Sequence, residues 1–348
     1  MRKLASIRRV SDILPIKGAN AIEVAVVDGW KVVVKKDEYT VGELAVYLEI
    51  DSWVPYELAP FLSKGQEPRE YNGVKGERLR TVKLRGQVSQ GLLLKVEEDN
   101  GWHYIFSSLS EQHENRFVDL GEEANEGKDV TELLGIQKWE APIAPQLAGQ
   151  VRGQFPTNLI PKTDQERIQN CFEEIAAKSD VTYEVTLKLD GTSCTIFRHE
   201  GELRVCSRNL ELKVNKENAN NTLVAMALKI GDKIKDGLAF QGELMGPGIQ
   251  GNREGFTEHR FFVFDIFDIE KHEYLTPVNR KWVTDFHELD HVPVFFTDCL
   301  PMNSVDRFLV LADGPSVNHK VREGVVFKCN DDPSFSFKVI NNQFLLKE

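Results

Sequence analysis

Long apolar runs are missing from this sequence. Nothing approaches the roughly 20 consecutive apolar residues that a membrane-crossing helix needs, so no membrane partner is expected. The opening MRKLASIRRV carries charge without an apolar core, unlike a secretory signal. Cysteine is scarce: Cys171, Cys194, Cys206, Cys299 and Cys329 are scattered, odd in number and form no C-x-x-C pair. That excludes a disulfide framework and a zinc knuckle, and predicts reduced thiols in an intracellular, non-secreted protein. Repeats of roughly 20 to 50 residues, the mark of solenoids and propellers, are absent as well. Positive charge is in deficit. A net charge of -11 excludes bulk electrostatic attraction to nucleic acid, so such a partner must be held by local basic patches.

What remains is ordinary in balance. With 348 residues, 41% of them hydrophobic and 28% charged, the chain has the size and composition of a soluble protein of two domains. From Met1 to about Lys95 it is dense in strand signals. IEVAVVDGWKVVVKK reads as strand, Asp-Gly turn, strand, and ELAVYLEI, TVKLRG and QGLLLKV follow as further short strands. Their spacing fits a small OB-type barrel. From Glu97 to about Glu140 the chain is acidic and reads as irregular, so the first domain is placed at residues 1–140. Pro, Ala and Gly in APIAPQLAGQVRGQF mark 141–155 as a linker, which leaves 156–348 for the second domain. That domain opens with a helix in TDQERIQNCFEEIAAKS, N-capped by Thr163 or Asp164, and continues with strands and a few helices. The expected class is α+β with a mostly antiparallel sheet.

One strand raises a chemical question. In YEVTLKLDG, Tyr183, Val185, Leu187 and Leu189 alternate with Glu184, Thr186, Lys188 and Asp190, the period-two pattern of a half-buried strand, and Gly191 closes it. A lysine at a strand end is by itself a common solvent-facing residue. Here it has company: Glu243 in FQGELMG, Glu323 in REGVVFK and Lys338 in FSFKVIN lie near the ends of other apolar strands. Lysine and glutamate from four strand ends converging on one cleft suit nucleotide chemistry. Two other patterns are read as decoys. HELDH (287–291) fits a zinc-protease helix, but Pro293 follows at once and no further ligand motif appears, so it reads as a polar helix end. GPGIQG (246–251) matches a dinucleotide fingerprint, but without a βαβ unit it reads as a glycine-rich loop.

The same residues resemble a known family. Lys188-Leu189-Asp190-Gly191 looks like motif I of the covalent nucleotidyltransferases, which include polynucleotide ligases and capping enzymes. Ser207-Arg208-Asn209, Phe240 to Glu243, Phe261 to Ile266, Glu323 to Val326 and Ser336 to Val339 resemble the later motifs in order. PKTDQERIQN (161–170) and the barrel stretch EYNGVKGERLRTVKLRGQVSQGLLL (70–94) are similar to ATP-dependent RNA ligases of the fifth RNA ligase family. The resemblance implies an N-terminal OB-like barrel followed by an antiparallel-sheet, ATP-grasp-like adenylylation domain. It implies that Lys188 attacks the α-phosphate of ATP and carries AMP. Asp190, Glu243 and Glu323 are implied to hold Mg2+ or Mn2+, partly through water, and Lys338 to serve the phosphates with Arg208, Lys162 and Arg167. Phe262, or the aromatic one alternate position away in FFVFDIF, and Val325 are implied to sandwich the adenine, with plain core packing as the bland reading of Phe262. Lysine, mostly ammonium at neutral pH, needs burial and nearby positive charge to expose its lone pair. One departure stands out: Ser336-Phe337-Lys338 has one lysine where many ligases have Lys-x-Lys, so that motif rests on Lys338 alone.

A basic stretch in the barrel, Lys75, Arg78, Arg80, Lys83 and Arg85 against only Glu77, is the candidate nucleic-acid face, with a solvated basic hairpin as the bland reading. Trp30 and Trp53 pack the barrel or offer stacking surface. The expected partner is RNA, or a nicked duplex whose 3'-OH end is RNA, sealed by a monomer. The competing readings are a DNA ligase or capping enzyme, and a non-catalytic RNA-binding protein with a degenerate ligase domain. The barrel ahead of the catalytic motifs, and the retained lysines and carboxylates, favour the RNA ligase.

Overall fold

The computed structural model describes residues 3–99, 102–107, 116–121, 124–139 and 149–346. The chain divides into two compact units, Met1–Pro142 and Ile143–Glu348. In the first unit the strands Ala5–Arg9, Leu44–Leu48, Leu92–Asp99, Trp102–Ser107 and Arg116–Gly121 form one antiparallel sheet in that order. Its Leu44–Leu48 strand is apolar on both faces because each face is covered: Val46 and Leu48 join one core, Ala45 and Tyr47 the other. The expected hairpin pairs Ile22–Val27 with Trp30–Lys35. Asp28 and Gly29, at φ 47° and 77°, give it the turn that matches strand twist. Trp30 and Trp53 serve packing. Trp30 stacks on Tyr47, and the Trp53 indole N–H donates to the Val74 carbonyl at 3.1 Å.

The acidic stretch after Glu97 is not irregular where it is described. Trp102–Ser107 and Arg116–Gly121 are strands, and Glu97 and Glu98 sit opposite Tyr104 and His103. The charges that suggested loop decorate a sheet. Residues 108–115, in the middle of that reading, lie outside the described residues, as does 141–148 of the linker reading. The rest of the latter stretch carries a strand, Val151–Gln154, paired with Leu210–Leu212.

The described residues of the second unit form two sheets. The larger runs Val151–Gln154, Leu210–Leu212, Glu202–Cys206, Thr192–His199, Leu238–Met245, Arg260–Asp268, Glu273–Tyr274, with Asp290–His291 beside Arg260–Asp268. The smaller runs Glu166–Arg167, Ser336–Ile340, Gly324–Cys329, Tyr183–Lys188, Val294–Cys299. One face of the smaller sheet, with Tyr183, Val185, Val325, Phe327 and Phe337, packs apolar side chains against helices Ile168–Ala176 and Val305–Ala312. The first of these helices starts later than expected. Arg167, not Thr163 or Asp164, stands at its N-cap, because Glu166 and Arg167 are extended in a parallel bridge to Phe337 and Lys338.

Charge is buried between these elements. Arg280, fully buried in helix Pro277–Phe286, pairs with Glu184 and lies 3.5 Å from Asp265, and Lys328 Nζ is 2.7 Å from Asp265. Glu184 and Lys328 come from the smaller sheet and Asp265 from the larger, so the quartet ties the two sheets together.

HELDH is accordingly no metal helix. The helix ends at Phe286, and His291 sits in a strand, where Arg280 Nε–H donates to its Nε2 at 3.0 Å and its Nδ1–H donates to the Val292 carbonyl at 2.6 Å. Those two bonds suit a neutral imidazole, and burial together with the Arg280 charge pushes its pKa down to about 4. The folded state therefore resists a proton that an unfolded histidine accepts near pH 6.5. Stability is intact above that pH and falls as pH drops toward 4, by about 2 kcal/mol at pH 5. Thermal unfolding should show a drop in Tm between pH 7 and pH 5 that is smaller in His291→Gln; equal drops would remove His291 from the account.

Candidate active site

Lys188 ends its strand opposite Gly324, so the antiparallel register delivers Glu323 beside it, with Nζ 2.9 Å from Oε1. Gly324 cannot be larger: a Cβ there would lie 2.1 Å from the Val339 carbonyl oxygen. After Lys188 the chain crosses from the smaller sheet to the larger through Leu189–Gly191. The Gly191 N–H donates to Glu243 Oε1 at 3.0 Å, and a Cβ on Gly191 would lie 2.4 Å from Met245 Sδ and 2.5 Å from the Leu244 oxygen. The K-x-D-G glycine is thus what lets motif I approach the Glu243 strand. Lys188, Asp190, Glu243 and Glu323 meet in one place.

Their electrostatics differ from the simplest expectation. Burial disfavours the Lys188 ammonium, but Glu323, Glu243 and Asp190 together outweigh it and hold the amine above the ordinary lysine range. The reciprocal strain falls on the acids. Burial pushes Glu243 up to about 7 despite Lys188, and burial and Glu323 raise Asp190, with Arg253 opposing. In the free protein the site holds an ammonium among carboxylates, and neutralising that negative charge would lower the Lys188 pKa.

Among the described residues no three His, Cys, Asp or Glu side chains form a ready metal cage. Asp190, Glu243 and Glu323 are hard oxygen donors, each already held: by Arg253, by the Gly191 N–H and by Lys188. That donor set fits a hydrated divalent ion that takes its other ligands from water and phosphate.

The remaining candidates separate into groups. Arg167 and Lys338 are bridge partners, and Lys338 pairs onward with Val326, so both lie in the sheet that carries Lys188, three strands and two strands away from it. Ser336, where the missing lysine would stand, is opposite Lys328, but that amine is buried on Asp265. Lys162 and Arg208 form a second, exposed basic group: Lys162 donates to Asn209 at 2.8 Å, and Arg208 pairs with Asp164 at 2.6 Å.

The two residues expected to flank the adenine are not placed alike. Val325 pairs with Leu187 and Val339 and lies in the apolar cluster with Phe308, Phe327 and Phe337, on the sheet face opposite Lys188. Val326, half-buried, shares the face of Thr186, Lys188 and Lys338. Phe262 stands opposite Glu243 but is only 4% exposed, with Phe256 and the Arg260 guanidinium against its ring. Two residues on, Phe264 is half-buried at the irregularity where Gln241 pairs with Asp265 and Gly242 with Val263. Bulges of this kind re-aim side chains beside active sites.

Arg253, which had no motif to announce it, also reaches the site, with Nη1 3.3 Å from Asp190 Oδ2. In the first unit the basic stretch splits. Lys75 is 3.6 Å from Glu67, while Arg78 pairs with Asp51 at 2.6 Å and lies over Trp139. Arg80, Lys83 and Arg85 are exposed on or next to the hairpin Val82–Leu84/Gln87–Ser89, with no carboxylate paired to them among the described residues. No helix among the described residues is long and apolar enough to cross a membrane.

Comparison with known proteins locates these features in families. A model of an OB-fold domain matches residues 4–96, and a model described as RNA ligase matches residues 181–340. No curated protein sequence matches. Among solved structures, an apo mutant of a Naegleria gruberi RNA ligase is 40% identical, with TM-score 0.80, covering 100% of this chain and 99% of that one. A mutant Naegleria gruberi RNA ligase with AMP and Mn is 40% identical, with TM-score 0.79 and the same coverage. The Naegleria gruberi RNA ligase with PPi is 40% identical, with TM-score 0.78, covering 99% of this chain and 98% of that one.

Proposed function

Because the chain belongs to the RNA ligase family, with an OB-fold domain ahead of its ligase domain, we propose that it joins RNA ends through an AMP carried on Lys188. The observation that carries this reading is the Lys188–Glu323 pair inside the carboxylate group of Asp190 and Glu243. ATP and a divalent ion, Mg2+ or Mn2+, are the proposed cofactors, supported by neighbouring structures solved with AMP or ATP and Mn. When bound, the ion neutralises the carboxylates and screens the α-phosphate.

The chain's own residues do the rest. Lys188, once its proton is shed, forms the P–N bond to the α-phosphorus as pyrophosphate leaves. Arg167 and Lys338, adjacent across their bridge, carry phosphate charge, and Arg167 stands in for the lysine absent at Ser336. Lys162 and Arg208 hold the outgoing phosphates. Phe264 or Phe262 and Val326 flank the base. A 5'-phosphate oxygen then takes AMP from Lys188, and a 3'-OH attacks that 5'-phosphate, releasing AMP.

The proposed substrate is a nicked duplex whose 3'-OH strand ends in RNA. Sealing of matched nicks is expected to be faster with an RNA 3'-OH end than with an all-DNA nick; equal rates would withdraw the RNA-end requirement. The exposed hairpin cations Arg80, Lys83 and Arg85 are proposed to track the phosphate backbone. Replacing all three with alanine should weaken duplex binding across sequences and lower the salt slope, log Kobs against log salt, by about 2 to 3. Binding titrations at several salt concentrations check this, and an unchanged slope would move the interface elsewhere.

A further inference from the structure

The glycine-rich loop after Met245 has a backbone that asks for a reason. Gln250, Gly251, Asn252 and Gly255 take φ of 44°, 66°, 47° and 66°; asparagine and glycine accept the left-handed region, but the Gln250 side chain disfavours it. The Asn252 side chain locks the turn, accepting the Phe256 N–H at 3.1 Å and donating to the Phe256 carbonyl at 2.9 Å. Between these anchors lie Arg253 and Glu254, and both are committed. Arg253 places Nη1 3.3 Å from Asp190 Oδ2, Nη2 3.5 Å from His319 Nδ1, and its guanidinium 4.5 Å from the Phe344 ring centre. Glu254, buried, accepts the Asn318 N–H at 2.6 Å, while its carbonyl takes the Asn318 amide at 3.1 Å. The loop is thus tied to Asn318 and His319, in the segment that leads to Glu323, and through Arg253 to motif I.

An ordinary surface ion pair does not look like this. The Arg253 and Asp190 side chains are only about a quarter exposed (24% and 25%), and four further contacts fix the arginine and its neighbour. Strained backbone that presents one side chain to a reactive cluster points to that side chain's role.

We infer that Arg253 is a positioning residue for the adenylylation site: it holds Oδ2 of Asp190 and so fixes the direction in which that carboxylate meets the metal–ATP complex. The inference rests on the ATP-and-metal reading proposed above. Hydrogen-bond partners of ligating carboxylates typically contribute roughly 10- to 100-fold to metal affinity.

The test measures binding, free of turnover. In the Lys188→Met chain, which can form no adduct, ATP affinity is measured by calorimetry with Mn2+ and with EDTA. Arg253→Ala is expected to weaken the Mn2+-dependent affinity about 10- to 100-fold, to leave the EDTA value nearly unchanged, and to be partly restored by Arg253→Lys. In an Asp190→Asn background the same replacement should cost little more, since the two act as one unit. Unchanged Mn2+-dependent affinity, equal losses with and without Mn2+ (the mark of a folding defect), or additive losses with Asp190→Asn would each overturn the inference. If the Lys188→Met parent itself shows no Mn2+-dependent ATP binding, the cofactor reading falls, and this inference with it.

Discussion

Replacing Lys188 with alanine should abolish transfer of label from α-labelled ATP to the protein, by a factor on the order of 10^3 or more. The wild-type adduct should need a divalent metal and be acid-labile, as a phosphoramidate is. Lys188→Arg should fail as completely, because a guanidinium keeps its proton and offers no lone pair. Lys188 is the amine paired to Glu323 at 2.9 Å and surrounded by Glu243 and Asp190, at the crossing from one sheet to the other. Its chemistry is also separable. In the proposed reaction Lys188 is the nucleophile of the first step and the leaving group of the second, but in the third step the nucleophile is the 3'-OH. A nick supplied with an AMP-capped 5'-end should therefore still be sealed by Lys188→Ala. Gel analysis of denatured protein, with a parallel sealing assay on the capped nick, checks both parts. A labelled Lys188→Ala protein would remove Lys188 from the reaction, and failure on the capped nick would give it a role in the last step too.

Much of this site was legible because its chemistry sits on strands. The alternation in YEVTLKLDG and the acids at the ends of FQGELMG and REGVVFK announced convergence, and the K-x-D-G glycine is explained by the Leu244 oxygen and Met245 Sδ, which leave no room for a Cβ. What was not legible depends on register. In EGVVFK two adjacent valines look alike; only the pairing of Gly324 with Lys188 decides that Val325 faces the helices and Val326 the cleft. The polar face of the Lys188 strand misled in a similar way. Glu184 and Thr186 read as solvent-facing, yet both are buried, because a second sheet covers them. Arg253 and Arg280 gave no signal at all. A lone arginine in a loop or on a helix is an ordinary residue until distant partners reach it. The acidic stretch failed for the opposite reason, since charge on strands such as Leu92–Asp99 can resemble a loop.

That covered face sets the largest stability effect. Arg280→Met should cost about 3 to 5 kcal/mol, because it leaves Glu184 and Asp265 buried with only Lys328 to balance them. For a domain of this size that is roughly 6 to 20 °C in Tm. The loss comes from stranded charge more than from missing contacts, and this has a consequence of its own. Adding Glu184→Gln to Arg280→Met removes one uncompensated carboxylate and should recover part of the stability, although it deletes another polar contact. A cavity mechanism predicts no such recovery. The quartet also links Glu184, on the Lys188 strand, to Asp265, on the strand paired with that of Glu243, so it helps to set the spacing of the two sheets that carry the site. Adenylylation by Arg280→Met, measured well below its lowered Tm, should therefore fall further than its folded fraction accounts for, and the double variant should regain stability ahead of activity. Melting curves and label transfer on the three proteins decide the matter: an Arg280→Met chain that melts with the wild type would mean that the buried charges find other partners, and that the sheets are held by their apolar contacts alone.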